Sequence, residues 1–480
     1  MATNIEANKI ALVVIPARSK FWVLWCLDYA VRLRLEGFQV DLLDLSGYSP
    51  HWYRKHIRKL LMTLKFNNRL ETISKKVCTQ YQIRYIKPPR HLNKFFPEID
   101  KSERLAFLSL LDAQYAPTLG RRVTSENLLP QRTLEIETYF YQATKEIITS
   151  LCRRNRYSII ATANGRLVVS GAVKVAAIES TDTCQILDTS VNGRWTYQVF
   201  KPDYLEDLDF IPDQIDELWR KANSEKVSIA QEALSRKLQG YRLDAPTWVS
   251  AYTTKFDPSI KGDKKLAVIF PTSDWERPLH LVRDLRMTFE GDQQIAFAKF
   301  IKVAQGSGYK IIVRAHPHPG DPSREKIENS VWKEFCDERG LILIASESGI
   351  DSYDLMEKSD LNVSYVSSAA IDSIILKRPT LVLGRSEFSH LISPSFAQDE
   401  GQIIEKLGKA SLVIEESQLY PWSYFQEKGQ ISVAIIEESS DGRTLYKGKE
   451  IEKIAFKTLR FSALKLKKLI YQLPKNKLKR

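Results

Sequence analysis

Residues 292–315 read DQQIAFAKFIKVAQGSGYKIIVRA, a helix closed by Gly306 and followed at once by an apolar strand. Upstream, KLAVIFP at 265–271 is a second strand, so the segment is a strand, helix, strand unit, the building block of a parallel sheet. Downstream the alternation continues: LILIA (341–345) reads as a strand, SYDLMEK (352–358) as a short helix and DLNVSYV (360–366) as a strand. SSAAIDSIILK (367–377) then predicts a helix and PTLVLG (379–384) a strand. Short apolar strands separated by helices of about ten residues predict a doubly wound α/β domain.

Working outward, the first half carries the same theme. KIALVVIP (9–16), the helical period KFWVLWCLDYAVRLRLE (20–36), Gly37 and FQVDLLDL (38–45) form another strand, helix, strand unit. QIRYIKPP (82–89) and YSIIATA (157–163) predict strands, whereas SERLAFLSLLDAQY (102–115) and LEIETYFYQATKEIITSLCRR (134–154) predict helices. A turn-rich stretch from Gly240 to Lys265 holds two prolines and no sustained apolar period. The expected organisation is therefore two facing doubly wound α/β domains, at 1–240 and 265–420, with a linker at 241–264 and an extension at 421–480. A chain of 480 residues exceeds what one core serves, which agrees with two domains.

The formal charge of +13 is concentrated at one end. Residues 453–480 hold ten Lys and Arg and no acid, leaving +3 for residues 1–452. The tail interleaves those bases with Ile454, Phe456, Leu459, Phe461, Leu464, Leu466, Leu469, Ile470 and Leu473. It reads as a basic amphipathic helix suited to an anionic inner-membrane surface, or as a C-terminal helix packing back on the body with a solvated basic end. HWYRKHIRKLLMTLKFNNR (51–69) is a second basic, apolar helix that could act with it. Nucleic acid is not expected as a partner, because the tail lacks the interleaved aromatics of a stacking platform. Five scattered cysteines with no CxxC pair fit free thiols in a reducing compartment. Glu6 and Lys9 interrupt the N-terminus where a signal peptide needs an unbroken apolar run. A cytoplasmic protein, peripheral on the inner face of the plasma membrane if the tail binds there, is the expectation.

Ligands of open α/β sheets bind beyond the carboxyl ends of the strands, so residues there are the candidates. After YKIIVR come His316, Pro317, His318 and Pro319, with Arg314 ending the strand. An imidazole there can donate to a phosphate or act as an acid near neutral pH; the alternative is a strand-end cap and a solvated neighbour. Ser367 and Ser368 open a helix, where main-chain N–H groups and hydroxyls suit a phosphate, or serve as an ordinary N-cap. Asp372, one turn on, suits ribose hydroxyls or simply complements the helix dipole. Thr272 and Ser273 follow the strand at 265–271. In the first half, Asn164, Gly165 and Arg166 follow a strand, and Arg18, with Ser19 and Lys20, makes a similar cluster. No third ligand of matching type lies near the two histidines, so no zinc or other metal is expected.

GxGxxG, GxxxxGK[ST] and GxSxG are all absent, which disfavours dinucleotide oxidoreductases, P-loop NTPases and α/β-hydrolases. What remains suits transfer from a nucleotide-activated donor. VRAHPHPGD with DSYDLMEKSDLNVSYVSSAAIDSIILKRPTLVLG resembles the C-terminal half of GT-B-fold glycosyltransferases of bacterial capsule and surface polysaccharide biosynthesis. That group includes capsular Kdo transferases and, more distantly, sialyltransferases and CDP-glycerol polymerising enzymes. ATANGRLVVSGAVKVAAIES with CQILD resembles the group's N-terminal half. Together, roughly residues 155–220 and 265–410 carry the likeness.

The resemblance implies two Rossmann-like domains of GT-B type, the first on the acceptor side. It implies that His316 or His318 with Ser367 and Ser368 holds the donor phosphate, that Asp372 reaches the ribose, and that Asp360 and the pair Arg378 and Pro379 complete the pattern. Thr272, Ser273 and Arg314 join the donor set; Arg18, Asn164 and Arg166 form the acceptor side; Asp188 is the matching general base. Transfer would be metal-independent, without a cofactor beyond the nucleotide sugar, a CMP-linked donor being one candidate, and the acceptor a growing surface polysaccharide or glycolipid. Closure of the two halves about the linker would exclude water. Asp188 and Asp372 stand where the group more often has Glu, Thr189 where it has Arg, and Lys377 where it has Gly. A nucleotide-sugar 2-epimerase or a non-catalytic scaffold of a polysaccharide-assembly complex are the alternatives.

Overall fold

The structure is a computed structural model describing residues 9–17, 19–46, 68–88, 99–119, 123, 125–181, 183–188, 196–202, 209–243, 254–272, 288–317, 322–409, 412–438, 444–446 and 449–450. In chain order the main elements of the first part are β1 (Ile10–Ile15), α1 (Lys20–Leu35), β2 (Gln39–Asp44), α2 (Asn68–Tyr81), β3 (Arg84–Ile86), α3 (Arg104–Leu119) and α4 (Gln131–Arg154). They continue with β4 (Ile159–Ala163), α5 (Val168–Ser180), β5 (Cys184–Asp188), β6 (Thr196–Phe200), α6 (Phe210–Lys221) and α7 (Lys226–Leu243). The second part holds β7 (Lys265–Phe270), α8 (Gln293–Gly306), β8 (Tyr309–Arg314), α9 (Pro322–Asp337), β9 (Ile342–Ile344), α10 (Ser352–Lys358) and β10 (Leu361–Ser364). It ends with α11 (Ala369–Ile375), β11 (Thr380–Val382), α12 (Glu400–Leu407), α13 (Tyr420–Lys428) and β12 (Ile431–Ser432). Short strands at 437–438, 444–446 and 449–450 form a small antiparallel sheet.

The chain divides into two compact units. One comprises residues 1–100, 125–202 and 431–480, the other 101–124 and 203–430. Helices α6 and α7, which the sequence reading left with the first domain, thus belong to the second unit, and the segment from Ile431 onward belongs to the first. Residues 244–253 of the expected linker, 51–67 of the basic segment and the whole tail beyond 450 lie outside the described residues.

The first unit is built on a seven-stranded sheet ordered β12-β6-β5-β4-β1-β2-β3. Strands β5, β4, β1, β2 and β3 run parallel, whereas β6 and β12 are antiparallel additions at one edge. Strand β1 is buried over Ala11–Ile15, as expected of a parallel strand covered on both faces. Helix α1 ends in a left-handed turn at Gly37, with Gly37 N donating to Arg34 O and Phe38 N to Leu33 O, which satisfies the last carbonyls and sends the chain into β2.

The second unit is a five-stranded parallel sheet ordered β11-β10-β7-β8-β9. Alternate residues feed two cores. Ala267, Ile269, Ile311 and Val313 pack with Phe297, Phe300, Trp332 and Phe335 of α8 and α9, while Leu266, Val268, Phe270 and Ile312 pack with Leu355 and Met356 of α10. The doubly covered sheet is the predicted one, with one local difference. The left-handed residue that turns α8 into β8 is Gly308, whose φ is 81°, rather than Gly306. Among the described residues no helix is long and apolar enough to cross a membrane.

Candidate functional site

In the second sheet β7 comes first; β8 and β9 then extend to one side, β10 and β11 to the other. Chain progression therefore reverses between β7 and β10, and the crevice outside the carboxyl ends of such a pair is where open α/β sheets hold ligands. Phe270 pairs with Ser364 across that point. Thr272 and Ser364 are 8% and 2% exposed, and neither Thr272 Oγ1 nor Ser364 Oγ has a hydrogen-bond partner among the described residues. Buried hydroxyls are usually bonded, so two unpartnered ones at one switch point are bonds available to a polar ligand. Gln293 fixes the main chain here: Thr272 N donates to Gln293 Oε1 at 3.0 Å, and Gln293 Nε2 to Thr272 O at 2.7 Å.

At the end of β8, Arg314 is buried and its guanidinium goes to the main chain. Nη1 donates to Ala315 O and Ala345 O at 3.1 and 2.6 Å, and Nη2 to Ile350 O at 3.3 Å. These bonds fasten the turn after β9, a task its strand-end position did not disclose. His316 is half-buried, with Nδ1 3.0 Å from Pro317 O, and its carbonyl accepts from Ser346 Oγ at 2.7 Å. His318 and Ser273 lie outside the described residues.

Helix α11 starts beyond β10. Ser367 Oγ accepts from Ala369 N at 3.3 Å, and Ser368 is an exposed N-cap whose own side chain makes no capping bond. Asp372 is 5% exposed and forms an ion pair with Lys237 of α7. Sequence reasoning missed that lysine, which lies 135 positions away on a helix with no distinguishing motif. Asp360 stands at the other end of β10: its carboxylate accepts from Leu266 N at 2.7 Å, registering β10 on β7. Arg378 donates to Ser359 O at the turn into β11. Lys377 adopts φ 56° just beyond α11.

The first sheet has its own reversal, between β1 and β4. Asn164 and Gly165 follow β4 with φ of 73° and 64°, two left-handed residues in succession. A Cβ on Gly165 would come within 3.1 Å of Ile186, so both conformation and space favour glycine. Asn164 N donates to Leu187 O at 2.8 Å and Asn164 Oδ1 accepts from Arg166 N at 3.2 Å. The tight turn brings Arg166 Nη2 to Asp188 Oδ2 at 2.9 Å, joining two residues named from separate strand ends. Asp188 is buried and Arg166 partly exposed. Arg18 and Thr189 lie outside the described residues.

A cavity of about 490 Å³ lies in the same unit near the amino end of β5, lined by Ile178, Thr183, Cys184, Gln185, Phe200 and Lys201. Burial pushes the Cys184 thiol up to about 12, which leaves it inert as a nucleophile at neutral pH. Among the described residues no group of three or more His, Cys, Asp or Glu is placed to hold a metal ion.

No family model matches the chain, and no curated protein matches its sequence. Among solved structures it is similar to KpsC, beta Kdo 2,7 transferase, of Thermosulfurimonas dismutans, at 11% identity over 70% of this chain and 97% of that one, with a TM-score of 0.37. A putative UDP-N-acetylglucosamine 2-epimerase from Listeria monocytogenes is similar at 11% identity over 86% and 94% of the two chains, TM-score 0.25. A glycosyltransferase from Rickettsia africae is similar at 10% identity over 87% and 94%, TM-score 0.27. At these TM-scores the likenesses carry no argument about chemistry, which rests on the residues themselves.

Proposed function

We propose that the chain is a GT-B-type glycosyltransferase that moves a sugar from a nucleotide-activated donor to a surface polysaccharide or glycolipid acceptor. The observation that carries this reading is the pair of buried hydroxyls, Thr272 Oγ1 and Ser364 Oγ, that have no partner among the described residues at the switch point of the second sheet. In the proposed reaction an acceptor hydroxyl attacks the anomeric carbon, the bond from that carbon to the phosphate oxygen breaks, and the nucleotide leaves with the bonding pair. His316, His318, Ser367 and Ser368 stabilise the departing phosphate, with Thr272 and Ser273 around the donor and Asp372 on its ribose, while Arg314, expected in the donor set, instead holds the turn after β9 through its main-chain bonds. Asp188 accepts the hydroxyl proton, oriented by Arg166, and Asn164 and Arg18 complete the acceptor side. Chemistry of this kind needs no metal when donors and imidazoles offset the phosphate charge.

Thermal shift and calorimetry with CMP, UDP, GDP and CDP test the donor assignment. One of the four should bind, and Thr272→Ala with Ser364→Ala should weaken it; binding by none refutes the reading. Asp188→Asn should lower kcat by about a hundredfold or more while leaving donor affinity intact. Product analysis with the donor alone, without acceptor, distinguishes transfer from 2-epimerisation. The basic residues at 453–480 further suggest attachment to an anionic bilayer. Flotation with phosphatidylserine liposomes should recover the full chain and not one ended after Glu452, and equal recovery refutes the attachment.

A further inference from the structure

Lys237 directs its ammonium to Asp372 Oδ1 in the first turn of α11, and the two side chains are only 20% and 7% exposed. Withdrawing both charges from water is costly, and α7 is fastened without them. Leu234 shares an apolar cluster with Ala370, Ile371 and Ile374, Gln231 Nε2 donates to Tyr420 OH at 2.8 Å, and Ser423 Oγ donates to Ala230 O at 2.9 Å. A neutral side chain at 237 would therefore still allow the two helices to pack, and the charge calls for another explanation.

A second observation lies on the strand side of the same helix. Ser364 Oγ is buried without a partner among the described residues, on the face of β10 that also carries Asn362. The Asn362 amide donates to Ser373 Oγ of α11 at 2.9 Å, so α11 covers that face. Ser364 ends the strand whose face α11 covers, and Asp372 with its ammonium partner lies on that helix, so both belong to the same edge of the sheet. An acid that serves a ribose next to a phosphate also needs its own charge offset, because two anions at close range repel.

We infer that Lys237 is a donor-site cation, bonded to Asp372 in the unliganded chain and shared between Asp372 and a phosphate oxygen when a nucleotide is bound. The inference rests on the donor reading of the second sheet and adds to it a residue from outside the strand ends. An ammonium suits this exchange, being a compact charge on a flexible stem with three donors.

The test is isothermal titration of the full chain and of Lys237→Met and Lys237→Arg with CMP and UDP, and with cytidine and uridine as phosphate-free probes. Folding is checked by thermal unfolding. Loss of a charge-assisted bond should weaken nucleotide binding about tenfold or more, leave nucleoside binding within about twofold, and be largely restored by arginine. Lys237→Gln, which keeps a hydrogen bond to Asp372, supplies the same comparison if the methionine variant does not fold. Unchanged nucleotide affinity overturns the inference. An equal loss for nucleotide and nucleoside overturns it too, since Lys237 would then only hold α7 against α11. If the wild-type chain binds nucleosides and nucleotides alike, Lys237 meets no phosphate; if it binds none of them, the donor reading itself fails.

Discussion

At Lys377 an exposed lysine closes α11 in the left-handed region, with Lys377 N donating to Ile374 O at 2.8 Å and Arg378 N to Ser373 O at 3.0 Å. That is the six-to-one and five-to-two bonding in which glycine is favoured, and it accounts for the glycine at this position in the family pattern the stretch resembles. A side chain in that conformation costs about 1 kcal/mol, part of which glycine returns through its freer unfolded chain. Lys377→Gly is therefore expected to gain up to about 1 kcal/mol in urea unfolding, and a loss would contradict the strain. Glu387 tells a different story. Loss of water around its carboxyl raises it above the usual range, although Trp422 Nε1 donates to Oε1 at 2.8 Å and works in the opposite sense. Between the ordinary carboxylate range and that raised value the folded chain holds a proton that the unfolded chain has lost, so stability falls as pH rises through the window. Glu387→Gln removes the dependence. It should melt higher than wild type at pH 7 and lose that advantage below about pH 4, and a pH-independent difference would show that the carboxyl is ionised in the fold. Neither the environment of Glu387 nor the partner of Asp372 was legible in the sequence, because both depend on side chains from α13 and α7 that reach these positions only through tertiary packing.

Elements with their own signals were legible: the apolar runs of β1, β4, β7, β8 and β10 and the helix-ending glycine after α1 all stand where the sequence put them. The antiparallel edge was not. Strand β12 has two residues and no pattern of its own, and it is held by contacts from far along the chain. Asp28 of α1, 1% exposed, accepts from Arg32 Nε at 2.7 Å, Tyr197 OH at 2.9 Å and Ala434 N at 2.6 Å, while Arg32 Nη2 donates to Ser432 O at 2.8 Å. One carboxylate therefore joins a helix, strand β6 and the returning segment. Asp28→Ala leaves three donors without their acceptor and is expected to cost about 3–5 kcal/mol. Hydrogen exchange of Ala434 should quicken well beyond that of β1. The milder Asp28→Asn, which keeps one acceptor oxygen, should lie between, and unchanged exchange at Ala434 in both variants would remove Asp28 from this role.

For the molecule as a whole, the two units are discontinuous in sequence, and the composition shift at 240–265 could not reveal that. Helices α6 and α7 look like a continuation of the first half, yet Ile215 and Leu234 are buried with Ile371, Ile374, Trp422 and Phe425. Conversely, Val433 is buried in the core of the first unit beside α1 and Tyr197, with Ile431, Ile435, Ile436 and Tyr446 packed against it. Ending the chain after Gln430 should therefore damage the unit that begins at the N-terminus and spare the one that immediately precedes the cut. Removing Val433 and its neighbours strips apolar cover worth about 25 cal/mol per Å² from one core and deprives Asp28 of its bond from Ala434. The measurement is differential scanning calorimetry with tryptophan fluorescence on the full chain and on chains ended after Glu450 and after Gln430. Relative to the Glu450 chain, the Gln430 chain should lose several degrees from one transition and keep the other, with nucleotide-induced stabilisation following the transition that is kept. Equal displacement of both transitions, or of neither, would mean that the returning segment does not belong to the first unit's core.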